Sequence, residues 1–211
     1  MRSALAATLP EPRCELDHRT VFELLVATIL SAQTTDRGVN KVTPTLFARF
    51  PEAAAMAAAE LAELEAIVRP TGFFKTKAKH IRDAARLLVE RHGGEVPRTV
   101  EELTALPGVA RKTANVVLGT GFGIASGITV DTHARRVSQR LGLTAEEDPV
   151  RIEAALCALV PRDEWIAFSH RLVLHGRYTC IARAPRCEGC ACAPSCAHRA
   201  RAERSVGGRE A

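Results

Sequence analysis

The sequence predicts an all-α protein on three observations. No segment alternates apolar and polar residues with period two over a useful length. Apolar residues recur instead at helical spacing, as Ala78, Ile81, Ala84, Ala85 and Leu88 do. Two Thr-x-x-Glu capping boxes, Thr20 with Glu23 and Thr99 with Glu102, stand where such stretches begin.

The elements follow in order. The Thr20 box opens a helix to about Ser31, apolar nearly all round and therefore central and buried. Asp36 is read as the cap of the next helix, which runs to Phe50 with a break at Pro44. Pro51–Ala59 and Glu60–Val68 read as two short Ala-rich helices. Lys75–His92 is a long amphipathic helix closed by Gly93-Gly94. The Thr99 box opens a helix that ends before Pro107-Gly108, and another spans Ala110–Leu118. Asp131–Leu141, Pro149–Val160 and Asp163–Tyr178 complete the set. The four glycines of Gly119–Gly127 suggest a link between two lobes, and the tail beyond Cys196 has little to bury and is expected to fray.

With 211 residues and 46% apolar content, the chain has enough material for one or two cores. A net charge of +5 suits nucleic acid, although many basic proteins bind none. Aromatic content of 4% excludes a stacking platform, so backbone amides and basic side chains would have to do most of any such binding. The apolar run Leu24–Leu30 is too short to span a membrane. The start resembles a signal peptide, but its apolar stretch stops at Leu9 before Pro10-Glu11-Pro12, so that reading is rejected. Of seven cysteines, Cys14 and Cys157 stand alone, and Cys157 reads as a buried free thiol. The usage fits a reducing compartment, and a cytoplasmic protein is expected.

Cys180, Cys187, Cys190 and Cys196 follow the spacing C-x6-C-x2-C-x5-C. Zinc sites commonly bring two close pairs, and here there is one. A single loop wrapping a cubane in unequal steps fits better, which favours [4Fe–4S] over zinc or unbound thiols. Cys192 is left out, being too close to Cys190 to reach a second corner.

Three further groups carry chemistry. Leu106-Pro107-Gly108-Val109-Ala110-Arg111-Lys112 joins two helices through a tight turn. The second helix would present unpaired amides and a positive dipole end, which suit a phosphate; the plain alternative is an ordinary helical corner. Lys112 sits beside Arg111 in that helix's first turn, where dipole and neighbour both disfavour its charged form. It is either a Schiff-base nucleophile or a phosphate holder. Asp131 reads as an N-cap that could also take a proton or stabilise a cationic sugar, and His133 as structural or phosphate-facing.

Four motifs in sequence order then carry a resemblance: Leu30-Ser31-Ala32-Gln33-Thr34-Thr35-Asp36, the hairpin running through Lys112 to Asn115, Val130-Asp131-Thr132-His133, and Leu174-His175-Gly176-Arg177 leading into the cysteines. From about Val21 to Cys196 the chain resembles the endonuclease III family, bifunctional DNA glycosylases of the helix–hairpin–helix superfamily. The resemblance implies a six-helix barrel over 18–124, with the helix–hairpin–helix at about 99–118. It implies an iron–sulfur lobe made of 1–17 and 125–211, and duplex DNA in the groove between the lobes. It implies removal of oxidised pyrimidines and β-elimination through a lysine Schiff base, with Lys112 and Asp131 catalytic. The four cysteines would hold a [4Fe–4S] cluster that is structural, and nothing in the sequence argues for a redox role. Gly108, Ala110, Arg111 and His133 would grip the strand, as would Arg183 and Arg186 in the cysteine loop. Gln33 and Phe73 would fill the gap left by a flipped base; their plain alternatives are a polar helix end and a core aromatic.

One departure is Ala110, where the family often has Gly; Ala is tolerable there only at negative φ. The nearest rival is an adenine glycosylase acting opposite oxidised guanine, which lacks the hairpin lysine and carries a further C-terminal domain. A non-catalytic iron–sulfur DNA-binding module and a zinc-stabilised scaffold are the other readings. A monomer is expected.

Overall fold

A computed structural model of the chain describes residues 1–201. The chain divides into two compact units, Cys14–Ser126 and Met1–Arg13 with Gly127–Ala211. Helices form every regular element among the described residues, with no strand.

α1 (Arg2–Thr8) is a helix the sequence reading did not anticipate. Its one buried residue, Leu5, joins the core of the second unit, and Arg171 Nε donates to Leu9 O at 2.9 Å just beyond it.

In the Cys14–Ser126 unit, α2 (Val21–Leu30) starts as expected: Thr20 Oγ1 accepts from Glu23 N at 3.2 Å. The Glu23 carboxylate reaches one residue further back than a standard capping box, accepting from Arg19 N at 2.6 Å and from the Arg19 guanidinium. All of α2 but Val21 is buried. α3 (Asp36–Asn40) is capped by Thr35, not Asp36, because the Thr35 hydroxyl accepts from Gly38 N at 3.1 Å. A turn separates it from α4 (Thr43–Arg49), where Pro44 lies in the first turn; proline lacks the N–H that a continuous helix needs there. α5 (Ala53–Ala57) and α6 (Leu61–Val68) pack with α2 on α7 (Phe74–His92). Gly93 ends α7 at φ 62°, and Gly94 N donates back to Leu88 O at 2.9 Å. α8 (Val100–Thr104) and α9 (Arg111–Val116) flank the Pro107-Gly108 turn.

α9 widens into a π-helical turn over Val117–Gly121. The first part of the glycine run is thus helical, and the boundary between the units falls within the rest of it. A Cβ on Gly121 would lie 2.8 Å from Val21 Cγ1, so this glycine lets the turn approach α2, and the unit boundary falls only after Ser126.

The other unit packs α10 (Thr132–Leu141) against α12 (Trp165–Tyr178), with α11 (Pro149–Leu159) in the same core through Ile152 and Leu156. α12 is preceded by a 3-10 turn at Arg162–Glu164, so it begins two residues later than the Asp163 expected. Cys157 is half-buried against this core, not fully enclosed. Beyond Cys196, residues 197–201 are helical, contrary to the frayed tail expected there; the rest of that expectation, 202–211, lies outside the described residues.

Candidate functional site

The hairpin turn depends on Gly108. Its φ is 78°, and a Cβ there would lie 2.9 Å from His80 Nδ1, so any other residue would be both strained and obstructed. Ala110 is the N-cap of α9 with φ −91°, a conformation alanine adopts freely, so the departure from glycine carries no strain. The first helical bond of α9 runs from Ala114 N to Ala110 O at 3.0 Å. Amides upstream of such a bond have no intrahelical partner. Arg111 and Lys112 are the first two residues of α9 and both side chains are exposed.

Asp131, in the other unit, is the N-cap of α10, its Oδ1 accepting from Ala134 N at 2.8 Å. One carboxylate oxygen is thus committed to the helix, and the half-buried group keeps the other for different work. His133 is oriented by Arg136, whose Nη2 lies 3.2 Å from His133 Nδ1 and donates to Gly176 O at 2.7 Å. With Nδ1 accepting from a guanidinium, the ring proton resides on Nε2. Gly176 permits this arrangement: a Cβ there would lie 2.8 Å from His133 Cβ. The His-Gly-Arg segment that the sequence singled out is therefore a close helix crossing.

Gln33 and Phe73 share a property no sequence signal announced. They are the two non-glycine residues with positive φ among the described residues, at 54° and 48°. Such conformations are strained for L-residues and collect at working sites. Phe73 is 68% exposed, which removes its alternative as a core aromatic, and Gln33 is exposed as well. The two turns are tied together. Thr34 Oγ1 donates to Thr71 O, while Lys77 Nζ donates to Thr34 Oγ1 at 2.6 Å and to Thr71 O at 2.8 Å.

Cys180, Cys187, Cys190 and Cys196 line one cleft with His175, Arg186 and Arg199. A tetrahedral ion holds sulfurs at about 2.3 Å, hence about 3.8 Å from one another. Among the described residues the only metal-competent group of three or more whose ligand atoms all lie within 4.8 Å is His175, Cys190 and Cys192, so the four cleft thiols are not drawn together as the ligands of one zinc ion would be. Cys192 is fully buried and does not line the cleft. Burial first, and then the neighbouring Cys190, push its thiol up to about 11. Desolvation and the three other cysteines also raise the Cys187 thiol, the like-charge crowding that a bound cation would relieve.

The sequence reading named Arg186 and the His175 motif but gave Arg140 no role and His175 no place at this cleft. Arg140 Nη1 lies 3.6 Å from Cys180 Sγ, and the same guanidinium donates to Ile181 O and Ala182 O, pinning the start of the cysteine loop. His175 is buried, and burial lowers its pKa; its Nε2 sits 3.9 Å from Cys190 Sγ. Arg136 and Arg140 lie one turn apart on α10, but the carbonyls they bond are forty or more residues away, so no local signal announces them. Arg183 and Arg186 are exposed on the loop, and Arg186 N is fixed by Thr179 O at 2.9 Å. No helix among the described residues is long and apolar enough to cross a membrane.

Comparison with known proteins follows the same lines. Residues 26–162 match the family model described as HhH-GPD superfamily base excision DNA repair protein. The chain is 55% identical to endonuclease III of Synechocystis sp. over 89% of its own length and 85% of that protein. It is similar in structure to an endonuclease III solved in a non-covalent complex with DNA, with a TM-score of 0.91 and 42% identity over 96% of this chain and 94% of that one. It is equally similar to a trapped endonuclease III–DNA covalent intermediate, with a TM-score of 0.91 and 41% identity over 95% of this chain and 94% of that one.

Proposed function

This chain belongs to the HhH-GPD superfamily of base excision DNA repair proteins, and on that footing we propose that it excises oxidised pyrimidines from duplex DNA with Lys112 as nucleophile. That it is a DNA glycosylase with a lyase step follows from its endonuclease III relatives and from the covalent intermediate trapped in one of them. The observation that carries the residue assignment is the exposed Lys112 at the second position of α9, directly after a glycine-dependent hairpin.

The chemistry runs through this chain's own groups. Asp131 takes a proton from Lys112, and the free amine attacks C1′ of the flipped nucleotide. The C1′–N bond breaks and the base leaves with its electron pair, taking up the proton that Asp131 has accepted, so that the restored carboxylate stabilises the cationic Schiff base that follows. Ring opening gives a Schiff base, which acidifies C2′–H. Loss of that proton expels the 3′ phosphate by β-elimination, and water hydrolyses the imine to free Lys112. Gln33 and Phe73 occupy the space vacated by the base. Amides around Gly108 and Ala110, with Arg111, His133 Nε2–H, Arg183 and Arg186, hold phosphates without reading sequence.

Cys180, Cys187, Cys190 and Cys196 would hold a [4Fe–4S] cluster, which supplies cross-linking of the loop and no step of the reaction. The thiol spacing and the single cleft support that assignment. One observation favours a second reading: His175, Cys190 and Cys192 are close enough for a single metal ion. Iron and sulfide analysis of the purified protein separates the two. We take the unit Cys14–Ser126 as the barrel and the other as the cluster lobe, and propose a cytoplasmic monomer.

The test is borohydride trapping on a duplex carrying one thymine glycol. A covalent band with the wild type and none with Lys112→Gln is expected. Base release by the wild type without any band would mean that water, not an amine, is the nucleophile.

A further inference from the structure

Lys77 is a lysine buried to 4% exposure, and the glycosylase chemistry just derived does not use it. Burial of an ammonium is costly unless its protons are taken up by acceptors. Both recorded acceptors belong to turns that carry strained residues. Nζ donates to Thr34 Oγ1 at 2.6 Å, one residue after Gln33, and to Thr71 O at 2.8 Å, two residues before Phe73. The backbone adds a third tie: Lys77 N donates to Phe73 O at 3.1 Å, the first helical bond of α7. One residue therefore holds the Phe73 turn from both sides and the Gln33 turn from one. Thr34 closes the triangle through its own hydrogen bond to Thr71 O. Gly72, at φ 67°, completes a segment in which two consecutive residues have positive φ. Strain of this kind persists only where surrounding contacts over-determine it. Desolvation pushes the Lys77 pKa down, which agrees with an ammonium held away from solvent by these oxygens.

We propose that Lys77 is a positioning residue for strand separation: its ammonium clamps the Gln33 turn to the Phe73 turn, so that both side chains enter the duplex as one preformed wedge. The inference rests on the assignment of Gln33 and Phe73 to the vacated stack. Two exposed side chains on independent turns would each lose conformational freedom on entering DNA. Two side chains on one clamped unit lose it once, at folding. Lys77 touches no reacting atom, so its removal should slow steps that need an opened duplex and spare those that do not.

The experiment uses the full-length, cluster-loaded protein, with iron content matched among variants. The substrate is a duplex with 2-aminopurine opposite a single thymine glycol, whose fluorescence rises as the stack is opened. Lys77→Met is expected to lose most of that rise and to lower kcat for base release by roughly 10- to 100-fold. Cleavage at a preformed abasic site in single-stranded DNA should be little changed. Thr34→Val keeps the buried ammonium but removes one of its acceptors and the direct Thr34–Thr71 bond. It should show a loss of the same kind, and the Thr34→Val/Lys77→Met pair should lose less than the sum of the two single variants, because the Lys77–Thr34 bond is common to both. If Lys77→Met does not fold, Thr34→Val alone still decides, since a normal rise with that variant would contradict the clamp. A Lys77→Met protein that opens the duplex normally, or one whose single-strand cleavage falls in parallel, overturns the proposal. A Gln33→Ala/Phe73→Ala protein tells which reading has failed. If it too leaves the rise intact, the wedge assignment falls and the clamp with it. If it abolishes the rise while Lys77→Met does not, only the clamp falls.

Discussion

The two units solve the problem of stability differently. Among the described residues, Cys14–Ser126 encloses 28 buried apolar residues in one core, from Leu16 to Leu118. The other unit encloses 12, and two of those are the cysteines Cys180 and Cys192. A core of the first size supports strained turns on its surface, and it is there that Gln33 and Phe73 are found. The smaller core has four cysteines gathered beside it, where a cross-link would add to its stability. Chemistry and stability should therefore be separable by substitution.

The sharpest separation is at Lys112. Lys112→Gln removes an exposed side chain from the large-core unit, so the melting temperature should be unchanged. Covalent trapping should vanish, and base release should fall by about 10³-fold or more while DNA binding survives. Substantial turnover by this variant would refute the nucleophile assignment.

Cys187→Ser tests the opposite arm. It should leave amide protection in Cys14–Ser126 intact and lower the melting of the cysteine-containing unit by roughly 10 °C, with loss of iron and visible colour. Simultaneous melting of both units would mean that the two cores are not independent.

Asp131 combines both roles, and two substitutions divide them. Asn caps helices as well as Asp, so Asp131→Asn should preserve the bond to Ala134 N and the stability, yet slow base release about 100-fold. Asp131→Ala should show the same kinetic defect and lose about 1 kcal/mol besides. Full activity in Asp131→Asn would reduce the residue to a cap.

Much of this was legible beforehand, for a reason that can be stated residue by residue. Capping boxes and Gly93-Gly94 are local rules, so α2, α7 and α8 begin or end within a residue or two of expectation. The cap of α3 was misassigned because Thr35 and Asp36 both have capping side chains, and only backbone geometry chooses between them. The glycine run does hold the boundary between the units, but Gly121 also answers to Val21, a hundred residues away, which no local pattern reports. The same holds for the site. Lys112, Asp131 and the cysteines are marked by motif. Arg136, Arg140 and Lys77 act through partners distant in sequence, and positive φ at Gln33 and Phe73 has no signature in residues that are neither Gly nor Asn.

A smaller effect sharpens the comparison on the DNA side. Arg183 stands exposed on the cysteine loop, beyond the carbonyls held by Arg140. Arg183→Ala should weaken binding to all duplexes alike and reduce the slope of log K against log salt by about 1. Loss restricted to one lesion would contradict a phosphate contact.

The smallest expected effect concerns how the large-core unit is tied down at its start. Burial alone would raise the Glu23 carboxyl, but hydrogen bonds from the Arg19 guanidinium and backbone amide, with its charge, outweigh burial and hold the group below its ordinary value of 4.5. The folded chain thus binds fewer protons than the unfolded chain between the lowered value and 4.5, and ∂ΔG/∂pH is positive there. Stability from this carboxylate is complete above 4.5 and is lost as pH falls through the folded value. Glu23→Gln, which still presents an acceptor to the cap, should cost about 1 kcal/mol or less at neutral pH. Its α2 amides should then lack the part of the acid-induced loss of hydrogen-exchange protection that Glu23 supplies. Cys180–Cys196 amides should respond identically in both proteins. An α2 profile in Glu23→Gln that still matches the wild type would show that the Arg19–Glu23 pair contributes nothing to the large core's stability.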